Sequence, residues 1–161
     1  MHVSGGTLIE WFEVPPDDDD AFLAAWRHER PVDATLFRAL RADAGPRFVS
    51  VAAATSREVY EVVHDDGAVD GAGGVVLIEP LAGGDEILSG WQTLRNYFAM
   101  RRGYLGTRLY RRPATDPRVI QLTRWSSPLM VFRAVREPAF EALAARIAFP
   151  SRPALYQRLP E

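Results

Sequence analysis

Cysteine is absent from these 161 residues, and so is lysine: all 19 basic residues are arginine. The first absence removes disulfides, thiolate metal sites and cysteine nucleophiles together. The second we read as the codon bias of a GC-rich genome, with no functional content. A formal charge of -2 sets up no field that draws in nucleic acid or an anionic membrane surface, so neither is an expected partner. No stretch approaches the roughly 20 apolar residues that span a bilayer, and Met1 to Thr7 lacks the basic start and apolar run of a signal peptide. The expectation is a soluble cytoplasmic protein. Phosphate-binding glycine loops, the G-x-S-x-G elbow, H-E-x-x-H and the dinucleotide fingerprint are also missing. The run Asp17 to Asp20 lacks the spaced ligands and turn glycine of a calcium loop, and reads as the negative first turn of a helix; no metal is expected.

What is present is a repetition. Leu8-Ile9-Glu10 returns as Leu77-Ile78-Glu79, 69 residues later, and Trp26 returns as Trp91, 65 later. The segment around Leu36 to Arg41 returns as Thr107 to Arg111, and Phe48-Val49-Ser50-Val51 as Val119-Ile120-Gln121-Leu122, 71 later. Ordered matches at nearly constant displacement predict a duplicated domain whose loops and helices have changed length. The period is too long for a solenoid, so each copy is expected to carry its own sheet and helices.

Local patterning fills in the copies. Thr7 to Val14 is rich in β-branched and aromatic residues and stops at Pro15-Pro16, which predicts a strand. A helix follows from the aspartates to Arg30, ended by Pro31. Ala34 to Arg41 and Arg47 to Ala53 read as a hairpin about Ala42 to Pro46, and Ser56 to Val63 as a short helix capped by Thr55 or Ser56. Asp65 to Gly74, with four glycines, reads as a linker. In the second copy Val75 to Leu81 is a strand, Asp85 to Arg101 a longer helix, and Tyr104 to Arg112 with Arg118 to Trp125 a hairpin across Pro113 to Pro117. Helices at Pro128 to Val135 and Pro138 to Ile147 precede a final strand at Ala154 to Leu159, with Pro150 and Pro153 bracketing the turn. This βαββαβ order is the ferredoxin-like plan, while the first copy offers no evident fourth strand. The domain reading is residues 1–66, a glycine-rich linker 67–74, and residues 75–161. A sheet with helices on one face needs cover on the other, so the fold class is α+β, with two antiparallel sheets meeting as a pseudo-dimeric barrel within one chain.

The second half resembles the antibiotic biosynthesis monooxygenase domain of the dimeric α+β barrel superfamily. The likeness rests on Trp91 and Arg95, on Gly103-Tyr104-Leu105-Gly106-Thr107-Arg108-Leu109-Tyr110-Arg111 in place of the family's Pro-Gly-Phe strand opening, and on Trp125-Ser126-Ser127-Pro128 leading into Phe132. Phe140-Glu141-Ala142-Leu143, Phe149-Pro150 and Pro153-Ala154-Leu155-Tyr156 extend it over residues 75–159. The first half keeps only Phe12-Glu13-Val14-Pro15, Phe22-Leu23-Ala24-Ala25-Trp26 and the hairpin, and Ala54 stands opposite Trp125, so its site reads as degenerate.

The superfamily includes cofactor-independent oxygenases that turn aromatic polyketide phenols into quinones, haem-degrading oxygenases and polyketide cyclases, and shared fold does not choose among them. The resemblance implies an Asn, a Trp and a helical His for haem degradation; here Trp125 is present, but Glu79 or Pro80 stands on the first strand and Phe140 to Ile147 holds no His, which argues against that chemistry. The quinone-forming members carry an Asn four residues before the Trp and a Tyr after it, where this chain has Gln121 and Phe132. The reading is a cofactor-independent monooxygenase-like enzyme taking an aromatic or polyketide-derived small molecule and molecular oxygen, with a cyclase or a non-catalytic binding module as alternatives. Candidate catalytic residues are Trp125, Arg108, Gln121 and Tyr104; candidate substrate contacts are Trp91, Arg95, Asn96, Tyr97, Tyr110, Arg124, Phe132 and Glu79. Alternation places Tyr104, Arg108 and Tyr110 on one strand face, and Gln121 and Trp125 on one face of its neighbour. Glu79, matched by Glu10, reads as a general base, a solvated strand position or a contact between halves. For all of these side chains packing is the competing reading. A further homodimer beyond the fused pair is left open.

Overall fold

The computed structural model describes residues 5–31, 33–41, 45–54, 59–81, 86–113, 117–146 and 154–160. Strand β1 (Gly6–Phe12) leads through a 3-10 turn (Pro16–Asp18) into helix α1 (Asp19–Glu29), followed by β2 (Thr35–Ala39), β3 (Phe48–Ala54) and β4 (Glu61–Asp65). Then come β5 (Val75–Leu81), α2 (Ile87–Ala99), β6 (Tyr104–Arg111), β7 (Val119–Trp125), α3 (Pro128–Val135), α4 (Pro138–Arg146) and β8 (Leu155–Arg158). The strands form one antiparallel sheet in the order β1-β3-β2-β8-β5-β7-β6-β4. Within it, β8-β5-β7-β6 has the ferredoxin-like strand order, and β1-β3-β2 has the order of three of those four strands.

Two-residue alternation sends each strand's side chains to two different cores. Val75, Leu77 and Leu81 of β5 face the helices, where α2 contributes the stripe Ile87, Trp91, Leu94, Tyr97 and Phe98, at spacings that fall on one helical face. Val76 and Ile78 face the other way and join Ile9, Phe37, Val49, Ile120, Leu122 and Tyr156 in a second core that draws on strands from both halves. Helix α1 is thinner cover, with no buried residue of its own. It is held by Phe22, stacked on Phe48 with ring centroids 4.4 Å apart, and by the Asp19–Arg47 ion pair at 2.6 Å. Trp26, expected to pack as Trp91 does, is only half-buried beneath Arg30.

The helix expected at Ser56 to Val63 is not what forms. Residues 61–65 are strand β4, the fourth strand that the first half lacked on paper, and Val62, Val63 and His64 are β-branched or aromatic as a strand prefers. Its partner is β6 of the second half, in the register Glu61↔Arg111 to Asp65↔Arg108. Tyr60, just before β4, also exchanges two backbone hydrogen bonds with Thr7 of β1, at 2.7 and 2.8 Å, so the two ends of the strand order touch at one residue pair.

The linker is not a solvated spacer either. Val69 is 2% exposed within the second core. Asp70 takes two hydrogen bonds from Arg108 at 2.9 and 2.6 Å, and Arg124 donates to the carbonyls of Ala68, Ala72 and Gly73. Gly74 turns the chain into β5 at φ +72, where a Cβ would stand 2.2 Å from the Trp125 carbonyl oxygen. The expected cap at Thr55 or Ser56, parts of the turns at Ala42 to Pro46 and Pro113 to Pro117, the α2 start at Asp85, Ile147, and the Phe149-Pro150 and Pro153 positions lie outside the described residues.

Candidate active site

Strand β7 turns Gln121, Thr123 and Trp125 toward the helices, and each has a buried polar atom without a hydrogen-bond partner: Gln121 Nε2, Thr123 Oγ1 and Trp125 Nε1. These are successive inward positions, about 7 Å apart along the strand. An unsatisfied buried donor or acceptor costs on the order of 1–3 kcal/mol, and leucine, valine and phenylalanine would fill the same places without that cost. A strand serving only to pack does not require this row.

The groups around the row are polar as well. Trp91 on α2 donates its indole N–H to Gln121 Oε1 at 2.7 Å, which fixes the amide so that Nε2 is the group left over. Glu79 lies opposite Gln121 in register and is 4% exposed. Its carboxylate accepts the Ala154 amide N–H at 2.6 Å, and burial pushes its pKa up to about 7 while that hydrogen bond pulls the other way. Trp125 is fully buried, met edge-on by Phe98 at 5.3 Å and by Tyr104 at 5.8 Å between ring centroids.

Trp91 and Tyr104, which flank the row, in turn meet β4 and the loop that follows it. Asp66 accepts from Tyr104 Oη at 2.7 Å and from Arg95 at 3.2 Å on both oxygens, and it pairs with His64 Nε2 at 2.7 Å. Burial opposes ionisation of Asp66, but the hydrogen bonds from Tyr104, His64 and Arg95 outweigh it and hold the carboxyl below its ordinary range. The His64 ring stands edge-on to Trp91 at 5.1 Å, and Tyr104 Oη also bonds Thr107 Oγ1 at 2.8 Å. Desolvation, more than any single partner, raises the Tyr104 phenol.

The expected wall of Tyr104, Arg108 and Tyr110 does not exist. The β6 to β7 register slips between Tyr104 and Gly106, leaving Leu105 as an extra residue, and such a bulge reverses the alternation beyond it. Tyr104 therefore stands with Trp125 on the helix side, while Arg108 and Tyr110 project into the opposite core. There Arg108 is held by Asp70 and Asp65, and the hydrogen bond it donates to Asp70 is the first cause of its raised pKa. The cavity that it lines with Phe37, Val69, Tyr110 and Arg158 measures about 20 Å³, room for one water and no substrate. Arg124 is spent on the loop carbonyls. Asn96 is exposed, Tyr97 ties α2 to α3 through the Ala134 carbonyl at 2.7 Å, and Phe132 is half-buried beneath Arg136. Of the expected residues, then, Trp125, Gln121, Tyr104, Trp91, Arg95 and Glu79 come together. Thr107, Thr123, His64 and Asp66 join them unforeseen.

No protein-family model matches this chain, and no curated protein matches it. Solved structures do. A monooxygenase-like protein from Listeria innocua superposes with a TM-score of 0.62 at 16% identity, over 98% of this chain and 95% of its own. An anthrone oxidase-like protein gives 0.68 at 14% identity over 99% and 94%, and a heme-degrading enzyme from Listeria monocytogenes 0.59 at 16% over 94% and 97%. At such identities the likeness establishes the fold, an α+β arrangement of ferredoxin-like type along nearly the whole chain. Among the described residues no helix is long and apolar enough to cross a membrane, and no cluster of three or more metal-ligating side chains occurs.

Proposed function

We propose that the chain is a small oxygenase of the antibiotic biosynthesis monooxygenase type, acting without cofactor on a flat aromatic or polyketide-derived substrate in the pocket of its second half. The observation that carries this is the row of three unpartnered polar atoms on Gln121, Thr123 and Trp125, buried under α2 and flanked by Trp91 and Tyr104. Amide, hydroxyl and indole groups between aromatic rings suit a planar substrate edged with hydroxyl and carbonyl oxygens. The monooxygenase-like and anthrone oxidase-like neighbours support the same reading. Phe140 to Ile147 carries no His, so the chemistry of the heme-degrading neighbour is not extended to this chain.

The reaction draws its electrons from the substrate. A phenol or its tautomeric ketone loses a proton, the resulting anion passes an electron to oxygen, and the two radicals join at carbon as a peroxide. Elimination of water leaves a carbonyl, so that CH2 plus O2 becomes C=O plus H2O. Such a site must favour the anion and keep water out, and Gln121 Nε2, Trp125 Nε1 and Arg95 are the donors available to do it.

Two architectural readings accompany this proposal. The Thr7 with Tyr60 pair supports closure of the sheet into a barrel within one chain, and the matched strands support two fused halves, 1–66 and 75–161, joined by 67–74. The test is oxygen uptake with an anthrone: Trp125→Phe and Gln121→Leu are expected to lower kcat/KM at least about 100-fold while far-UV circular dichroism is unchanged. Full activity in both variants removes this site. Product formed under strict anoxia favours the cyclase reading instead.

A further inference from the structure

Of the second-half groups that could act as a base in the proposed site, Glu79 is buried and held by the Ala154 N–H, Arg95 is a permanent cation and the Tyr104 phenol is raised. The group that fills this role comes from the first half. Strand β4 crosses to pair with β6 and sets His64 edge-on to Trp91, the partner of Gln121, while Asp66 just after it meets Tyr104, the neighbour of Trp125. Asp66 is fixed by Tyr104 and Arg95, so its hydrogen bond to His64 Nε2 sets the tautomer, with the proton on Nε2 and the lone pair on Nδ1. Among the described residues nothing is bonded to Nδ1. The ring is braced by Trp91, whose indole N–H holds Gln121. Orienting carboxylate, imidazole and substrate-facing amide thus form one connected path.

We propose that His64 is the general base of this site, with Asp66 as its positioning residue. This inference rests on the oxygenase reading above and names the residue that starts it. The substrate O–H bond breaks, its electron pair stays on oxygen as a phenolate, and the proton moves to His64 Nδ1. Once oxygen has added at carbon, the imidazolium returns that proton to the peroxide anion and His64 is restored. The charged and titratable groups facing the ring are Asp66 on the loop after β4, Arg95 on α2 and Tyr104 on β6. Asp66 supports the imidazolium and Arg95 tempers it.

The experiment uses the full chain and 2-naphthol, whose neutral and anionic forms absorb at different wavelengths. With wild type, the ionisation midpoint of bound naphthol is expected at least one pH unit below that of free naphthol. His64→Gln keeps a donor toward Asp66 but supplies no base; it is expected to bind naphthol within about threefold of wild type, leave it neutral, and lose at least about 100-fold in anthrone turnover. Imidazole added to His64→Ala restores turnover, which a merely structural role does not predict. Unchanged ionisation in His64→Gln overturns the assignment while the pocket stands. Failure of wild type to bind naphthol at all overturns the pocket, and this inference with it.

Discussion

The buried carboxyl of Glu79 makes a pH-dependent demand on stability that can be worked out in advance. In the folded chain it keeps its proton until about pH 7, whereas its ordinary value is 4.5. Between those values the folded state binds more protons than the unfolded state, so this group's contribution is fully present below pH 4.5 and is lost as pH rises through 7. At 1.36 kcal/mol per unit the whole effect is about 3 kcal/mol, most of which falls between pH 5 and pH 8. Glu79→Gln keeps an acceptor for the Ala154 N–H and never ionises. Urea unfolding of both proteins at pH 5, 6.5 and 8 is the assay. The variant is expected to gain about 2–3 kcal/mol on wild type over that range, or about 5–10 °C in Tm for a chain of this size. The amide's own packing cost is the same at every pH and cancels, as do titrating groups common to both proteins. Parallel stability curves for the two proteins would refute the argument, because they would mean that Glu79 ionises in the folded state as freely as in the unfolded one.

Gly74→Ala is expected to lose more than about 2 kcal/mol in chemical denaturation, since the left-handed backbone alone costs roughly 1–2 kcal/mol and the new Cβ meets the Trp125 carbonyl at 2.2 Å. Leu77→Ala, at a position with 0% exposure between β5 and the helices, is expected to lose about 2–5 kcal/mol by the same measurement. Asp19→Asn weakens the hold of Arg47 on α1 and is expected to lose about 1 kcal/mol at pH 7. Arg47's hydrogen bond, opposed by burial, keeps the Asp19 carboxyl below its ordinary 3.8. That stabilisation is complete above pH 3.8 and disappears as pH falls through the lowered value, so the two proteins are expected to converge in acid.

Most of the fold was legible because most of it follows from period and punctuation. The proline stops after β1 and α1, the stripe on α2 and the alternation on β5 and β7 are local signals, and the structure follows them closely. The failures are all places where a partner distant in sequence decides. Tyr60 to Asp65 has no strong pattern of its own, and becomes a strand because β6 offers an unpaired edge. The bulge at Leu105 reverses which of Tyr104, Arg108 and Tyr110 share a face, and nothing in that octet marks an extra residue except Gly106, whose missing side chain makes room for Ala68. The glycines of the linker suggested freedom, yet the arginines that hold it sit on β6, β7 and β8. His64 and Asp66 were visible as residues but not as neighbours of Trp91 and Tyr104, because only the crossing of β4 brings them there.

That crossing also accounts for the inequality of the halves. On the helix side the first half has Ser50, Ala52 and Ala54 where the second has Gln121, Thr123 and Trp125, and a single helix with no buried residue where the second has three. Ser50 is the one polar side chain of that trio, so the amide and indole of the second half have no counterpart there. If the first half served only to cover the inner face of the second sheet, β1, β2 and β3 would suffice, since the shared core already takes Ile9, Phe37 and Val49 from them. Strand β4 adds little to that core, for Val62 and Val63 are exposed. What it adds is an edge partner for β6 and a histidine, hydrogen-bonded to Asp66, beside Trp91. If His64 acts as proposed, the first half, which has no such row of its own, still supplies part of the second half's chemistry.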